Sequence, residues 1–218
     1  MPAFDILQHY PRSGGRSSLR MAITEEQREI SRRFDFDYFD GERQYGYGGY
    51  SYHPRFWTDT VQHIAGHYSL DSSSSILDVG CAKGFMLKDL QFLLPGTTLA
   101  GVDISDYAIG HAEREVKELV RVACATDLPF ANDSFDLVLS INTLHNLDRS
   151  GCIKALGEVE RVSKRDACVV VDGWSTDAER DALHEWVLTP KTMLHVSDWK
   201  MLFAEAGYTG DYAFWTPA

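Results

Sequence analysis

The chain has 218 residues, a length typical of one domain with or without an appendage. Its 32 Asp and Glu residues outnumber its 21 Lys and Arg residues, and the formal net charge at pH 7 is −11. A surface of this charge repels phosphate backbones and disfavours a nucleic-acid partner. The sequence also lacks an apolar run of membrane-spanning length, an apolar N-terminal stretch of the signal-peptide kind and a C-x-x-C pair. We therefore expect a cytoplasmic protein that has no membrane span and no metal site.

Composition divides the chain into three regions. Residues 1–22 combine Pro, Ser, Gly and Arg and predict a flexible lead-in. Residues 23–70 predict an N-terminal helical region, which begins with a short helix opened by Thr24. Inside this region, residues 34–57 contain ten of the 26 aromatic residues, interleaved with glycines that weaken helices and strands alike. Residues 71–218 predict the main domain.

From residue 76 onward, short apolar runs alternate with helical patterns. Continuous apolar runs such as Leu137-Val138-Leu139 are typical of strands that are buried on both faces of a sheet. Strands are predicted at residues 76–79, 98–103, 119–124, 135–142, 167–172 and 208–215, and helices at 83–94, 106–114, 150–163, 177–188 and 197–206. The alternation predicts a doubly wound, Rossmann-like α/β fold with a mostly parallel sheet of about six main strands.

The end of this sheet is its least regular part. Pro190 interrupts residues 189–196, so we expect that stretch to stay outside the sheet. The last strand, at 208–215, is expected beside the fifth strand and antiparallel to it. This arrangement leaves an edge open to pairing with another molecule. The aromatic N-terminal segment or the second subunit of a homodimer would cover that edge.

The first strand–turn–helix carries a ligand-binding pattern, because residues 78–84 read Asp-Val-Gly-Cys-Ala-Lys-Gly. Small residues let the turn pass close to a ligand and leave backbone N–H groups free at the start of a helix. The spacing is D-x-G-x-A-x-G, not the dinucleotide pattern G-x-G-x-x-G. A carboxylate at the end of the strand suits a cationic amino acid better than a pyrophosphate. At the end of the next strand, Asp103 is placed to accept hydrogen bonds from both hydroxyls of a ribose.

These features are followed by Ala-Thr-Asp-Leu-Pro-Phe at 125–130 and Asn-Asp-Ser-Phe-Asp-Leu-Val at 132–138. The ordered set resembles the class I S-adenosylmethionine-dependent methyltransferases, in particular their type 11 small-molecule branch. The resemblance covers roughly residues 74–175. It implies S-adenosylmethionine as the cofactor and S-adenosylhomocysteine as its product. The cofactor contacts that it implies are Asp78, Gly80 and Gly84 at the methionine part, Asp103 at the ribose, Ile104, Asp127 and Leu128 at the adenine, and Ile141 and Asn142 under the sulfonium. Cys81, in the same turn, is a further candidate cofactor contact.

The turn departs from the family pattern at one position, since Ala82 stands where glycine is more common. The extra methyl group is compatible with the turn if the backbone angle φ at this residue is negative. The departure therefore concerns the tightness of the turn more than the identity of the ligand.

Candidates for the acceptor pocket follow the fourth and fifth strands, because ligands of open α/β sheets bind beyond the carboxyl ends of the strands. His145 is a candidate base or orienting residue, and the alternative is a purely structural histidine. Asp172 is placed either to hold a substrate hydroxyl or to cap the next helix. In the aromatic segment, Tyr47 is a candidate cofactor contact and Tyr50 a candidate catalytic residue of a lid over both ligands. The alternative for this segment is a hydrophobic strap over the sheet edge.

We therefore expect a methyltransferase that acts on a small polar molecule, by O-methylation of a sugar, a sugar nucleotide or a natural-product intermediate. Methylation of nitrogen or of a carboxylate is an alternative, in which His145 would only orient the acceptor. A second alternative is a cofactor-binding protein without methyl transfer. An NAD-dependent dehydrogenase is disfavoured because the dinucleotide pattern is missing.

Overall fold

The computed structural model describes residues 3–11, 23–47 and 51–217. Within these ranges, seven strands form one sheet with helices on both faces. The strands are β1 (Ser75–Val79), β2 (Thr98–Asp103), β3 (Val120–Val122), β4 (Phe135–Ile141), β5 (Ser163–Trp174), β6 (Leu194–His195) and β7 (Asp211–Trp215). The helices are α1 (Glu25–Ser31), α2 (Phe36–Phe39), α3 (Pro54–His67), α4 (Phe85–Leu93), α5 (Asp106–Gly110), α6 (Arg149–Val162), α7 (Asp177–Trp186) and α8 (Val196–Glu205).

The strand pairs of the sheet are parallel, and its order is β3-β2-β1-β4-β5, with both β6 and β7 paired to β5. The chain winds outward from β1 to β3 and then places β4 on the other side of β1. The strand order therefore reverses between β1 and β4, and open α/β sheets bind ligands beyond the carboxyl ends of the strands at such a point. This architecture confirms the predicted doubly wound fold. Six of the seven strands have three or more residues, in keeping with the predicted six main strands.

Neighbouring residues of the central strands fill two separate cores. In β1, Ile76 packs into one core and Leu77 into the other. In β4, Leu137 joins the core of Ile76, and Val138 joins the core of Leu77. All four side chains are fully buried. Because helices cover both faces, both sets of alternating residues are apolar, which explains the continuous apolar runs of the sequence.

The last strand lies beside the fifth strand, as predicted, but it runs parallel to it. Residues Cys168–Asp172 of β5 pair in register with Asp211–Trp215 of β7. The antiparallel prediction was wrong because of the position of α8. This helix begins directly after β6 at the carboxyl edge of the sheet and returns the chain to the amino edge before β7 starts.

Part of the stretch 189–196 also enters the sheet, contrary to the prediction. The two residues of β6 pair with Gly173 and Trp174 at the end of β5. Pro190 precedes this pairing and takes no part in it. The proline therefore shortens the strand without excluding it from the sheet.

Residues 3–11 pack against the main domain, which differs from the flexible lead-in expected there; residues 12–22 lie outside the described ranges. The N–H of Phe4 donates to the Tyr212 carbonyl of β7 at 3.0 Å, and the Phe4 ring stacks on His67 with centroids 3.6 Å apart. Ile6 is fully buried. Residues 3–11 therefore cover part of the open edge of β7. The expected cover was the aromatic N-terminal segment or a second subunit.

The helices of the N-terminal region follow the sequence signals. Thr24 caps α1, as predicted, and forms a capping box with Gln27. Between α1 and α3, the described part of the aromatic segment contains one helical turn, α2. In the described chain, no helix combines the length and the apolar character that a bilayer crossing requires.

Candidate functional site

The turn between β1 and α4 depends on two glycines. Gly80 has φ of +89° and Gly84 has φ of +77°, both in the left-handed region. A Cβ atom at Gly80 would lie 2.0 Å from the hydroxyl oxygen of Thr143, and one at Gly84 would lie 2.8 Å from the side chain of Val116. The N–H of Gly80 also donates to the Val102 carbonyl, which ties the turn to β2. Conformation and space therefore both require glycine at these positions.

Ala82, in the same turn, also has a positive φ of +49°, so the condition of a negative angle is not met. Its N–H donates to Asp103 Oδ2 at 2.8 Å, which holds the residue in this conformation. The left-handed region costs a residue with a Cβ atom on the order of 1–2 kcal/mol. The family's glycine would remove that cost.

We expect Ala82→Gly to raise the free energy of unfolding by about 1 kcal/mol, because relief of the backbone strain exceeds the added entropy of the unfolded chain. Urea unfolding of the two proteins measures this difference. Ala204→Gly on the exposed face of α8 is the matched control, and it should lower stability by roughly 0.5–1 kcal/mol. Equal stability of Ala82→Gly and the unchanged protein would show that Ala82 is not strained.

Two carboxylates face the cavity from the ends of β1 and β2. Asp78 is 5% exposed, and Asp103 is half-buried and accepts the N–H groups of Ala82 and Ser105 at 2.8 and 2.9 Å. Burial and, next, the charge of Asp103 raise the pKa of Asp78 to about 8. Burial also raises the pKa of Asp103. A bound cation would relieve both effects, so the pair suits the ammonium group of an amino acid, and Asp103 keeps lone pairs for ribose hydroxyls.

We expect the affinity for S-adenosylhomocysteine to rise with pH, by up to about tenfold per unit between about pH 6 and pH 8, and then to level off. Binding favours the ionised form of Asp78, whose pKa in the free protein is about 8, so a proton is released on binding below this pH. Calorimetry in buffers of different ionisation enthalpy measures that proton. Asp78→Asn should bind more weakly and without this pH dependence. A dissociation constant that is independent of pH in the unchanged protein would contradict the role of Asp78.

The loop after β3 differs from what the resemblance implies. This strand ends two residues earlier than predicted, and residues 123–125 line the cavity. Asp127 and Leu128 are not among the residues that line it. The N–H of Leu128 donates to Glu158 Oε2 at 2.7 Å, and its side chain is buried in the core. Residues 123–125 therefore form the cavity wall at this point, and the adenine contacts of Asp127 and Leu128 stay a prediction.

The end of β4 supplies two asparagines. Asn142 has φ of +52°, and its N–H donates to the Val170 carbonyl of β5 at 3.0 Å. The side-chain oxygens of Asn142 and Asn146 are buried and have no hydrogen-bond partner. Strained and unpaired polar groups of this kind cluster at ligand sites. Ile141 and Asn142 line the cavity, and so does Asn146, which the sequence analysis did not single out.

His145 and Asp172 form a buried pair on the cavity wall. His145 Nδ1 accepts the backbone N–H of Asp172 at 2.9 Å, and His145 Nε2 lies 3.7 Å from Asp172 Oδ2. Nδ1 is therefore unprotonated, and the neutral ring carries its proton on Nε2. Burial lowers the pKa of His145 to about 3 and raises the pKa of Asp172 to about 8. Neither nitrogen of this tautomer is free to accept a proton, so the geometry suits an orienting histidine beside a carboxyl that can act as the base.

The alternative role of Asp172 as a helix cap is filled by another residue. Thr176 caps α7 and forms a capping box with Glu179. The backbone carbonyl of Asp172 accepts the indole N–H of Trp199 at 2.8 Å, which holds the end of β5 in place. The carboxyl group of Asp172 is therefore available to the cavity.

Tyr47 lines the cavity beside residues 188 and 189, and its contact with the cofactor stays a prediction. Its hydroxyl accepts the N–H of Leu188 at 2.7 Å. Burial and the charge of Asp172 raise the pKa of Tyr47. Tyr50 lies outside the described residues, and its catalytic role stays a prediction.

The aromatic segment is bound to the two loops that follow β1 and β2, the candidate cofactor loops. Asp40 accepts hydrogen bonds from Lys83 Nζ in the β1–α4 turn and from the Tyr107 hydroxyl of α5, each at 2.7 Å. The Ser105 hydroxyl donates to the Phe34 carbonyl. These polar contacts hold the described part of the segment against both loops, and its role as a lid stays a prediction.

We expect the amide hydrogens of residues 34–47 to exchange faster in the free protein than in the protein with S-adenosylhomocysteine. The contacts of the segment with the cofactor loops are polar, and the ligand would order those loops. Hydrogen exchange followed by mass spectrometry measures the difference, with residues 98–103 of β2 as the unchanged control. Full protection of residues 34–47 in the free protein would favour the hydrophobic strap.

These groups enclose one cavity of about 620 Å³ at the carboxyl ends of the central strands. Its volume lies within the range of roughly 300–1,000 Å³ of small-molecule sites. The predicted site residues that line it are Asp78, Gly80, Cys81, Asp103, Ile104, Ile141, Asn142, His145, Asp172 and Tyr47. Gly84 instead shapes the turn behind it. Among the described residues, no cluster of His, Cys, Asp or Glu has an arrangement suited to a metal ion.

The structure also adds site residues that sequence reasoning missed. Residues 213–217 near the C-terminus reach the cavity, as do Tyr10 near the N-terminus and Trp186 at the end of α7. Phe56 and Trp57 at the start of α3 complete this wall. Aromatic content was the signal for the last two residues. The other residues carry no local motif, because the chain ends meet only in the folded protein.

The model of a family described as "Methyltransferase domain" (Methyltransf_11) matches residues 77–171. The tRNA (carboxymethyluridine(34)-5-O)-methyltransferase of Arabidopsis thaliana is 34% identical over 133 residues, which are 60% of this chain and 31% of that protein. The malonyl-[acyl-carrier protein] O-methyltransferase of Legionella pneumophila is 28% identical over 115 residues, which are 51% of this chain and 40% of that protein. The chain therefore spans less than half the length of either relative.

A solved structure, described as a SAM-dependent methyltransferase from Methanosarcina mazei, shares the fold. Its TM-score is 0.53 at 23% identity, over 66% of this chain and 82% of that chain. The family match runs from β1 into β5 and includes the glycine turn, both cofactor carboxylates and the end of β4. Residues 77–171 of the chain therefore form a methyltransferase domain of this family, on the fold of the class I methyltransferases, whose cofactor is S-adenosylmethionine.

Proposed function

We propose that this chain transfers the methyl group of S-adenosylmethionine to a hydroxyl oxygen of a small-molecule acceptor. The observation that carries this proposal is the buried carboxyl of Asp172, which lines the same cavity as the cofactor carboxylates and whose pKa burial raises to about 8. A general base acts best when its pKa lies near the working pH. Methylation of a carboxylate or of a neutral amine needs no such base.

The cofactor supplies a methyl carbon that is activated by a positively charged sulfur. Asp78 would hold the ammonium group of the cofactor, and Asp103 would hold its ribose. Burial and the charge of Asp103 disfavour the ionised form of Asp78, and a bound ammonium group would offset both effects. Ile104 offers the adenine an apolar side chain that is 56% exposed in the cavity wall. An enclosed site can align nucleophile and methyl group, and such alignment contributes on the order of 7–11 kcal/mol.

Asp172 takes the proton of the acceptor hydroxyl as the oxygen is methylated. His145 is a positioning residue for this step. Its Nδ1 accepts the backbone N–H of Asp172, which fixes the ring and directs Nε2–H toward the carboxyl group. The neutral histidine thus orients the base without competing for the proton.

The names of the two relatives raise a tRNA and a carrier protein as alternative acceptors. The net charge of −11 opposes binding of a tRNA backbone. The volume of the cavity, about 620 Å³, suits a small molecule together with the cofactor. Two alternatives remain. One is methylation of nitrogen or of a carboxylate, and the other is cofactor binding without methyl transfer. Neither alternative needs a base, so both predict that replacement of Asp172 leaves the activity of the protein unchanged.

The test incubates the protein with methyl-labelled S-adenosylmethionine and separate pools of hydroxylated small molecules, bulk tRNA and acyl carrier protein. We expect the label in a low-mass product that resists ester hydrolysis. Label in tRNA or in carrier protein would overturn the small-molecule acceptor. Tight cofactor binding without label in any pool would favour binding without transfer.

A further inference from the structure

Part of the cavity wall is built from aromatic rings that come from distant parts of the chain. Tyr10 precedes α1, Phe56 and Trp57 begin α3, Trp186 ends α7 and Trp215 ends β7, and all five line the cavity. All five lie outside residues 77–171, where the family model matches. This wall therefore lies outside the part of the chain that matches the family model.

The rings form two groups. The Tyr10 ring packs edge-on against Trp57 with centroids 5.0 Å apart, and it lies 5.6 Å from Phe56. The centroids of Trp186 and Trp215 are 6.1 Å apart. Trp186 is buried, but the other four side chains are only half-buried and keep accessible ring surface. Aromatic side chains in a concave wall present flat apolar surface to a ligand.

The charged groups around this wall do not suit an anionic acceptor. Asp172 places a carboxyl group there. Arg32 also lines the cavity, but its guanidinium is paired with Glu25 at 2.6 Å. Arg33 and Lys191 are exposed residues, so water screens their charges. Among the described residues that line the cavity, a diphosphate would find a buried carboxyl group but no unpaired, desolvated cation.

We propose that the acceptor is a neutral, flat aromatic compound that carries the reactive hydroxyl on its ring. Its ring would lie against Trp57 and Trp215, and its hydroxyl would face Asp172. This inference rests on the proposed O-methyl transfer and narrows its acceptor class, away from the sugars and sugar nucleotides expected from the sequence. Offset and edge-to-face contacts with Trp57 and Trp215 suit a planar ring, whereas sugar hydroxyls directed at these ring faces would lose water without gaining a strong hydrogen-bond acceptor there.

The reaction balances with this acceptor. The phenolic oxygen forms a bond to the methyl carbon, and the bond between that carbon and sulfur breaks with its electron pair on sulfur. The phenolic proton moves to the carboxylate of Asp172. The products are an aryl methyl ether and S-adenosylhomocysteine, so no further reactant is needed.

The test is calorimetric titration of the protein saturated with S-adenosylhomocysteine, using 2-naphthol, methyl glucoside and UDP-glucose as probes. We expect 2-naphthol to bind at least about tenfold more tightly than either sugar probe. Trp57→Leu and Trp215→Leu should each weaken 2-naphthol at least about fivefold and leave the affinity for S-adenosylhomocysteine unchanged. Phe92→Ala is the control, because this residue is 90% exposed and does not line the cavity.

Tighter binding of UDP-glucose or of the glucoside would overturn the aromatic assignment and leave methyl transfer standing. An unchanged affinity for 2-naphthol in both Trp variants would also overturn the aromatic assignment. Two variants are used so that the test still decides if one of them misfolds. The proposed function fails separately. It would be contradicted if aromatic hydroxyl compounds bind as expected but acquire no label from S-adenosylmethionine.

Discussion

Replacement of Asp172 by Asn is expected to lower kcat by roughly 10²–10⁴-fold, the usual contribution of a general base. The affinity for S-adenosylhomocysteine should stay unchanged, because the cofactor carboxylates lie on β1 and β2. In the unchanged protein, kcat/KM should rise with pH and level off above about 8, since burial raises the pKa of Asp172 to about 8 and the base acts in its ionised form. Initial rates with labelled cofactor across this range measure both effects.

Two variants control this prediction. Asp166→Asn lies on the same strand, outside the cavity, where its carboxylate pairs with Arg165 at 2.7 Å, and it should keep full activity. His145→Ala should lose less activity than Asp172→Asn, because the histidine only positions the base. Full activity of Asp172→Asn would contradict base catalysis and favour methylation of nitrogen or of a carboxylate.

Asp103→Ala is expected to weaken cofactor binding by about 1.5–3 kcal/mol, or roughly 10- to 150-fold. The carboxylate accepts two backbone N–H groups of the cofactor loops and has further lone pairs for the ribose hydroxyls. Its loss therefore removes charge-assisted hydrogen bonds and loosens the loops that carry them. Calorimetry with S-adenosylhomocysteine measures the change.

Asp106→Ala is the matched control for this change, since this exposed carboxylate lies three residues away in the first turn of α5. It should leave the dissociation constant unaltered. Asp103→Asn keeps one acceptor oxygen for the loops and should fall between the two. An unchanged dissociation constant for Asp103→Ala would remove the ribose assignment.

The sequence by itself determined the central fold and the cofactor half of the site. Apolar runs at β1, β4 and β5 and the amphipathic helices between them are local patterns, each complete within about ten residues. The glycines of the 78–84 turn and the carboxylates at the ends of β1 and β2 are local as well. Because carboxyl ends of parallel strands meet at one edge of the sheet, these local signals were enough to bring Asp78, Asp103, Asn142, His145 and Asp172 to one cavity.

Only the tertiary structure decided the remaining features, because they depend on residues far apart in the sequence. β7 runs parallel to β5 because α8 brings the chain back to the amino edge of the sheet. The secondary-structure propensities of the residues do not determine at which edge a helix ends. Ala82 adopts its left-handed conformation through a hydrogen bond to Asp103, and the tautomer of His145 is set by the N–H of Asp172. The pKa values of this pair are shifted by burial, which exists only once the elements pack. The aromatic wall of the cavity likewise appears only when residues near both ends of the sequence fold onto the carboxyl edge of the sheet.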